Sequence, residues 1–233
     1  MRWYIRRDRL ADRTIRTRHS AMPPPFSPSP ESLPSEPGMQ PVLAERHETA
    51  SHFGMIAEPM LRHLADYWLS RRQGRMMPRR SDIDPLHIPW ALPYLFLVDC
   101  VAAAGADGSN WRYRYRLAGE QIEAVFRDRL NRSSMRNTWL DESMPAHTLA
   151  ATMQRWRPLP EQGHILYMHG MIYRLTDRFA RGGRLMLPLA EEADGLVSGL
   201  IGITVCDWIG AAPPPASGEP DVTITHIPAG ALA

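Results

Sequence analysis

The stretch Arg80-Ser-Asp-Ile-Asp-Pro-Leu-His-Ile-Pro-Trp-Ala-Leu-Pro-Tyr-Leu-Phe-Leu-Val-Asp99 decides how the rest of the chain is read. Its prolines at 85, 89 and 93 keep the backbone out of regular helix, and Asp82 and Asp84 place carboxylates where they accept the free N–H groups of the turns that follow. From Leu92 to Val101 the run is nearly all apolar and reads as a mostly buried strand. A folded domain therefore begins near residue 80. Beyond a Gly/Ala/Asp/Asn connection at residues 102 to 110, Trp111, Tyr113, Tyr115 and Leu117 alternate with Arg112, Arg114 and Arg116. That is the period of a strand with one apolar and one cationic face.

Downstream, residues 120 to 130 suit a short helix with Ile122, Val125 and Phe126 inward. Ser143 to Trp156 suits a second, with Ser143 as cap and Pro145 in the first turn. Three strand candidates follow: Ile165 to Ile172, Arg184 to Leu189 and Leu196 to Val205. Upstream, Phe53, Ile56, Met60, Leu61, Leu64, Tyr67 and Trp68 recur at helical spacing. Proline is best tolerated in a first turn, so Pro59 sets the helix from about Glu58 to Arg72, with Gly74 as stop signal. A helix in that position either docks on the domain or pairs with another chain. Ile56, Met60, Leu64, Tyr67 and Trp68 are the residues that do so.

Two strands, a helical middle and three strands make an α+β pattern. In its order and in five motifs the chain resembles the bacterial PAS-like domain family. The motifs are Tyr67-Trp68, Asp82-Ile-Asp-Pro85, Leu92-Pro-Tyr-Leu-Phe-Leu97, Tyr113-Arg-Tyr-Arg-Leu-Ala-Gly119 and Arg184-Leu-Met-Leu-Pro-Leu189. The resemblance implies a five-stranded antiparallel sheet with helices on one face, preceded by the amphipathic helix. It spans roughly residues 60 to 206, matching loosely from 158 to 183. The expected division is a basic, Pro-rich arm without structure over 1–47, a helix region over 48–79, a PAS-like domain over 80–209 and a flexible tail over 210–233. The arm and tail rest on composition: residues 22 to 41 hold eight prolines, and Pro213 to Pro215 close the last strand pattern.

Charge and cysteine usage narrow the function. The positive residues are all arginine, and residues 1 to 21 hold seven of them against two Asp, leaving 20 Arg against 23 acidic residues elsewhere. A slightly acidic body does not track a nucleic-acid backbone. No apolar run approaches the roughly 20 residues that span a bilayer, and Cys100 and Cys206 read as small buried hydrophobes of a reducing cytoplasm.

The nine histidines form no HxxxH or HExxH pattern, and His164 and His169, five apart on a strand, face opposite ways. His147 is the single residue placed like a haem ligand, and it reads as an exposed helical side chain. There is no GxSxG elbow, and Gly105, Gly108 and Gly182-Gly183 read as turns. No catalytic residues, metal or cofactor are expected. If a ligand site exists, the resemblance puts it between the helical middle and the sheet, where Trp111, Tyr113, Tyr115, Ile122, Phe126, Met153 and Trp156 are the lining candidates. A packed core without a cavity is the favoured reading of the same residues, since aromatic stripes at strand or helix spacing usually fill space. Arg112, Arg114 and Arg116 read as a solvated face, with an acidic partner as the second reading.

The sequence thus points to a cytoplasmic, non-catalytic sensory or protein-interaction module of signal transduction. It is expected to act on a signalling protein partner and to homodimerise through its first helix. A small-molecule receptor with a true cavity for an unknown organic ligand is the alternative. An enzyme or a nucleic-acid-binding protein ranks behind both.

Overall fold

A computed structural model describes residues 44–103, 111–130, 134–144, 146–175, 178–191, 196–210 and 220–232, all within the compact unit 42–233. Seven strands carry the alternating patterns: β1 (Glu45–Thr49), β2 (Leu95–Ala102), β3 (Trp111–Ala118), β4 (His164–Arg174), β5 (Phe179–Ala190), β6 (Val197–Gly210) and β7 (Val222–Pro228). They form one sheet in the order β1-β7-β4-β5-β6-β2-β3, antiparallel throughout except for the parallel pair β1 and β7. The α+β class and the five expected strands are present, side by side as β4-β5-β6-β2-β3.

Two strands were not expected, and they correct the count from five to seven. β7 lies in the segment assigned to the tail, and β1 straddles the boundary between the arm and the helix region. β7 reads Val222-Thr-Ile-Thr-His-Ile-Pro, and Val222, Ile224 and Ile227 are buried with Thr223 and Thr225. The Pro213 to Pro215 run ends one strand pattern, but a second resumes after it. β1 has no apolar signal, because its residues are polar and mostly exposed. The backbone ladder to β7 and an ion pair from Glu45 to Arg155 hold it.

The helices also differ from the one-faced arrangement. α1 (Pro59–Arg71) lies on one face of the sheet, here called outer, while α2 (Glu120–Leu130) and α3 (Ala146–Trp156) cover the other; α4 (Pro158–Gln162) follows directly. The glycines expected as a turn explain this. Gly182 and Gly183 sit inside β5, and a Cβ on Gly183 would lie 2.6 Å from Leu61 Cδ1 of α1, so the missing side chain lets the helix settle on the sheet. The next residue, Arg184, points to the opposite face, towards α2.

The boundaries of α1 follow its sequence. The Glu58 side chain accepts from Met60 N at 3.1 Å, Pro59 occupies the first helical position, and Gly74 takes φ +78° beyond the end. Leu61, Leu64, Ala65 and Trp68 are fully buried. Phe53 and Ile56 are buried as well, but in a turn ahead of the helix, where Ile56 N donates to Phe53 O at 3.0 Å.

The motifs that are scattered in sequence meet in space. The Tyr67 hydroxyl donates to Asp84 O at 3.2 Å and accepts from Asp84 N at 2.9 Å, and Trp68 Nε1 donates to Pro188 O at 2.9 Å. A Cβ on Gly119 would lie 2.0 Å from Leu92 O, so only glycine lets β3 end against the Pro89–Tyr94 3-10 turn. That turn replaces the first three residues of the expected Leu92 strand, because Pro89 and Pro93 withhold ladder donors. Asp84 caps as expected, accepting from Leu86 N at 2.9 Å, whereas Asp82 reaches back to accept from Arg79 N at 2.8 Å rather than from the turn that follows. α3 starts at Ala146, and among the described residues Ser143 is engaged with the turn before it. Its hydroxyl donates to Leu140 O at 2.7 Å and closes the Leu140–Glu142 turn, while Pro145 and the connection at 104–110 lie outside the described residues.

Candidate functional site

Strand alternation puts Tyr113 and Tyr115 of β3 on the inner face, beneath α2 and α3. Tyr113 and Trp156, 1% and 2% exposed, meet edge to face with ring centroids 5.2 Å apart. Two residues along, Tyr115 lies 6.3 Å from Phe96 and 6.4 Å from Phe126, and Phe126 stands perpendicular to Tyr173 at 6.5 Å. Ile122 and Phe126 are buried on α2, while Trp111 and Met153 are partly buried against the same core. Of the seven lining candidates, Tyr113, Tyr115, Phe126 and Trp156 thus meet on the inner face, and Trp111, Ile122 and Met153 pack on the same core.

That layer holds a cation. The Arg184 guanidinium lies 5.1 Å from the Tyr173 ring and 6.0 Å from the Phe96 ring, and its Nε donates to Thr204 Oγ1 at 2.9 Å. Among the described residues no carboxylate pairs with it. Guanidinium is weakly hydrated and stacks on aromatic faces, so it tolerates such a place better than an ammonium would. Burial pushes the Tyr115 phenol well above its usual range, with Arg184 opposing, and burial does the same at Tyr113. The buried hydroxyls of Tyr113 and Tyr173 have no hydrogen-bond partner among the described residues. Buried polar groups are normally satisfied, so two orphaned hydroxyls in this layer, one of them on the ring that Arg184 approaches, are unusual. The set offers a fixed positive charge and hydrogen-bonding hydroxyls within aromatic walls, which suits a molecule carrying hydrogen-bond acceptors.

Phe96, Tyr173, Arg184 and Thr204 escaped the sequence reading. Arg184 left a signal, as a charge opening an otherwise apolar run. Tyr173 lies in the stretch where the family motifs match loosely, and nothing local distinguishes it.

The arginine stripe faces outward as expected, but it is engaged rather than simply solvated. Asp99, the only charged residue in β2, stands opposite Arg114 in register. It accepts from Arg114 Nη2 at 2.9 Å, and Arg116 Nε and Arg80 Nη1 approach it at 3.0 and 3.4 Å. Arg112 pairs with both oxygens of Asp141 at 2.8 and 3.1 Å and lies 4.1 Å over the Trp139 ring; Arg114 is 5.2 Å from the same ring.

The helix-packing residues divide. Ile56, Leu64 and Trp68 are buried within this one chain, whereas Met60 and Tyr67 are partly exposed. Beside the N-terminus of α1 an outer-face cleft of about 440 Å³ is lined by Glu58, Tyr167, His169, Arg181 and Asp207 among others. His169 stacks on Tyr167 at 5.4 Å on that face, whereas His164 approaches His226 at 6.1 Å. Among the described residues no three of His, Cys, Asp and Glu gather as a metal set, and no helix is long and apolar enough to cross a membrane. The His147 side chain lies outside the description.

The PAS domain family model matches residues 55–204, a span running from the turn before α1 into β6. Residues 17–81 are similar to the Survival Motor Neuron YG-box model, a segment that includes β1 and α1. No curated protein and no solved structure matches the chain significantly.

Proposed function

We propose, from the premise that this chain belongs to the PAS domain family, a cytoplasmic, non-catalytic sensory module that holds a small organic molecule on the inner face and signals by protein contact. One observation carries this reading: Arg184 stands among Phe96, Tyr115 and Tyr173 without a carboxylate among the described residues, next to the orphaned Tyr173 hydroxyl. A ligand with an acidic or carbonyl end would satisfy both groups, and the rings would hold its body. Occupancy shifts the module only through differential affinity for two arrangements of α1, and a hundredfold preference supplies about 2.7 kcal/mol. The signal then leaves through a protein partner, with homodimerisation through the α1 region, where Met60 remains partly exposed.

Native mass spectrometry of the full chain tests the reading. Wild-type protein should retain a small molecule, Phe126→Ala and Arg184→Met should lose it, and Arg114→Ala, on the outer face, should keep it. Retention that survives both inner-face changes would overturn the assignment.

A contact-only module with a packed core is the second reading. The direct Tyr113–Trp156 contact favours it, because it fills that end of the layer. A chain that carries no small molecule from any expression host would decide for it.

A further inference from the structure

The two edges of the sheet are closed differently. At β3, Tyr115 N donates to Thr138 O and Tyr115 O accepts from Asn137 N, so a following segment covers the middle of the strand. At β1 the strand order ends, and among the described residues only β7 pairs with it. Ala50 N donates to His226 O and Ala44 O accepts from Val222 N, which fixes the even-numbered residues as those whose backbone faces β7. By the alternation of a strand, Glu45, His47 and Thr49 turn their N–H and C=O groups to the open side. Such a row is a template for a further strand.

Short, charged edges usually turn partners away. Here the charges favour one partner. β1 reads Glu45-Arg46-His47-Glu48-Thr49 and pairs with β7 without a break in register. Reversed against a second copy of itself about His47, it sets Arg46 opposite Glu48 on both sides of the axis and Glu45 opposite Thr49. The backbone agrees with that register. Residues 45, 47 and 49 meet one another as hydrogen-bonded pairs, which leaves Arg46 and Glu48 at the non-hydrogen-bonded pairs, where side chains come closest. Sliding by one pair centres the contact on Arg46 or on Glu48 and sets like charge against like. Within one chain Arg46 and Glu48 lie 3.8 Å apart, with 56% and 47% of their side chains exposed, so both stay available. The Glu45 carboxylate adds no repulsion, because Arg155 neutralises it.

We propose that the β1 edge is a self-association surface, on which a second copy of this chain adds its own β1 antiparallel about a two-fold axis at His47 and continues the sheet. The contact uses the same patch on both copies, so it closes as a dimer rather than growing into a fibre. With five residues a side it is weak and concentration-dependent, as short strand pairs are. It is separate from the α1 region, since α1 packs on β5 and β6, and it does not rest on the inner-face ligand.

Sedimentation velocity of the full chain, at low salt and at concentrations up to its solubility limit, tests the edge with charge reversals at the two exposed positions. The wild-type chain should self-associate. Arg46→Glu and Glu48→Arg each set like charges opposite one another on both sides of the axis, and each should weaken this step about tenfold or more. An equimolar mixture of the two variants should recover it, because each offers the charge the other has lost, and the doubly reversed chain Arg46→Glu/Glu48→Arg should recover it alone. Recovery in the mixture requires both variants to be folded, so loss in each is not unfolding. A wild-type chain that stays monomeric at every concentration, or association that either reversal leaves intact, would overturn the proposal. Loss in both variants without recovery in the mixture would overturn the register. Association lost in Met60→Arg but intact in both reversals would overturn the edge contact and leave dimerisation through the α1 region standing.

Discussion

Arg184 and Arg114 belong to the same sheet and meet opposite surroundings. Arg184 projects inward from β5 into Phe96, Tyr115 and Tyr173, with Thr204 as its hydrogen-bond acceptor. Arg114 projects outward from β3 and shares Asp99 with Arg80 and Arg116. The position of each residue in the strand alternation, rather than its type, decides whether a cation is compensated by charge or by aromatic faces. The outward cluster is a surface electrostatic device, and the inward arginine is a part-buried cation set against aromatic rings with no carboxylate among the described residues. Function is more readily argued from the second.

The outer face is itself divided, with α1 covering β5 and β6 through apolar residues and the arginines occupying β2 and β3. The largest expected effect tests that division. Trp68 is fully buried and its indole N–H reaches Pro188 O, so Trp68→Ala should cost about 3 to 5 kcal/mol in urea unfolding. A variant of wild-type stability would show that α1 does not seal the outer face.

Much of this division was legible in sequence, and the limits were physical. The β3 alternation gave both faces as far as Tyr115, where a bulge breaks the period and pairs Leu117 with Leu97, and the spacing through Leu61, Leu64 and Trp68 gave the buried stripe of α1. Three features stayed hidden. β1 is polar and owes its place to backbone pairing with β7, which no local pattern reports. Gly182-Gly183 reads as a turn because sequence cannot show that Leu61 comes down on it. The Arg184 environment brings together residues of β2, β3, β4, β5, β6 and α2, so its chemistry exists only after the sheet has formed. The single mark it left was a charge at the head of an apolar run.

The next effects should have opposite signs. Arg114→Met removes one of three partners from Asp99 and should cost about 1 kcal/mol, less at high salt, as expected of a partly exposed network. Arg184→Met removes a cation without a carboxylate among the described residues and fills the same space with apolar atoms, so in the ligand-free chain it should be neutral or stabilising by up to ~1 kcal/mol. Chemical denaturation in low and high salt measures both. A loss at Arg184 as large as at Arg114 would show that Thr204 and the rings already satisfy it.

A smaller effect is expected at Tyr173. Its buried hydroxyl has no partner among the described residues, so Tyr173→Phe should leave the ligand-free chain unchanged or stabilise it by about 0.5 kcal/mol. A ligand that uses the hydroxyl would be held less tightly by the variant. A clear loss of stability in the ligand-free protein would mean that the hydroxyl is bonded after all, to an ordered water for instance.

The smallest effect lies far from either arginine, at the edge that β1 and β7 add. His164 and His226 sit with ring centroids 6.1 Å apart, and His226 Nε2 lies 3.0 Å from Arg155 O. Burial lowers the pKa of both; each is lowered further by a neighbouring histidine, His226 for His164 and His47 for His226, while the Arg155 carbonyl partly restores His226. The charged groups around them include Arg155 and Glu45, which pair with each other. With folded values below the unfolded histidine value of about 6.5, the unfolded chain binds protons more readily, and stability rises with pH through that window. The contribution is complete above about pH 6.5 and is lost as pH falls towards the folded values. Solvent screening of the partly exposed rings keeps it modest. Unfolding free energies from about pH 7.5 down to about pH 5.5 should therefore decline, and His226→Gln should flatten the decline more than His47→Gln, whose ring is mostly exposed. An unaltered slope in His226→Gln would place the acid sensitivity elsewhere in the fold and leave the added edge without a titrating role.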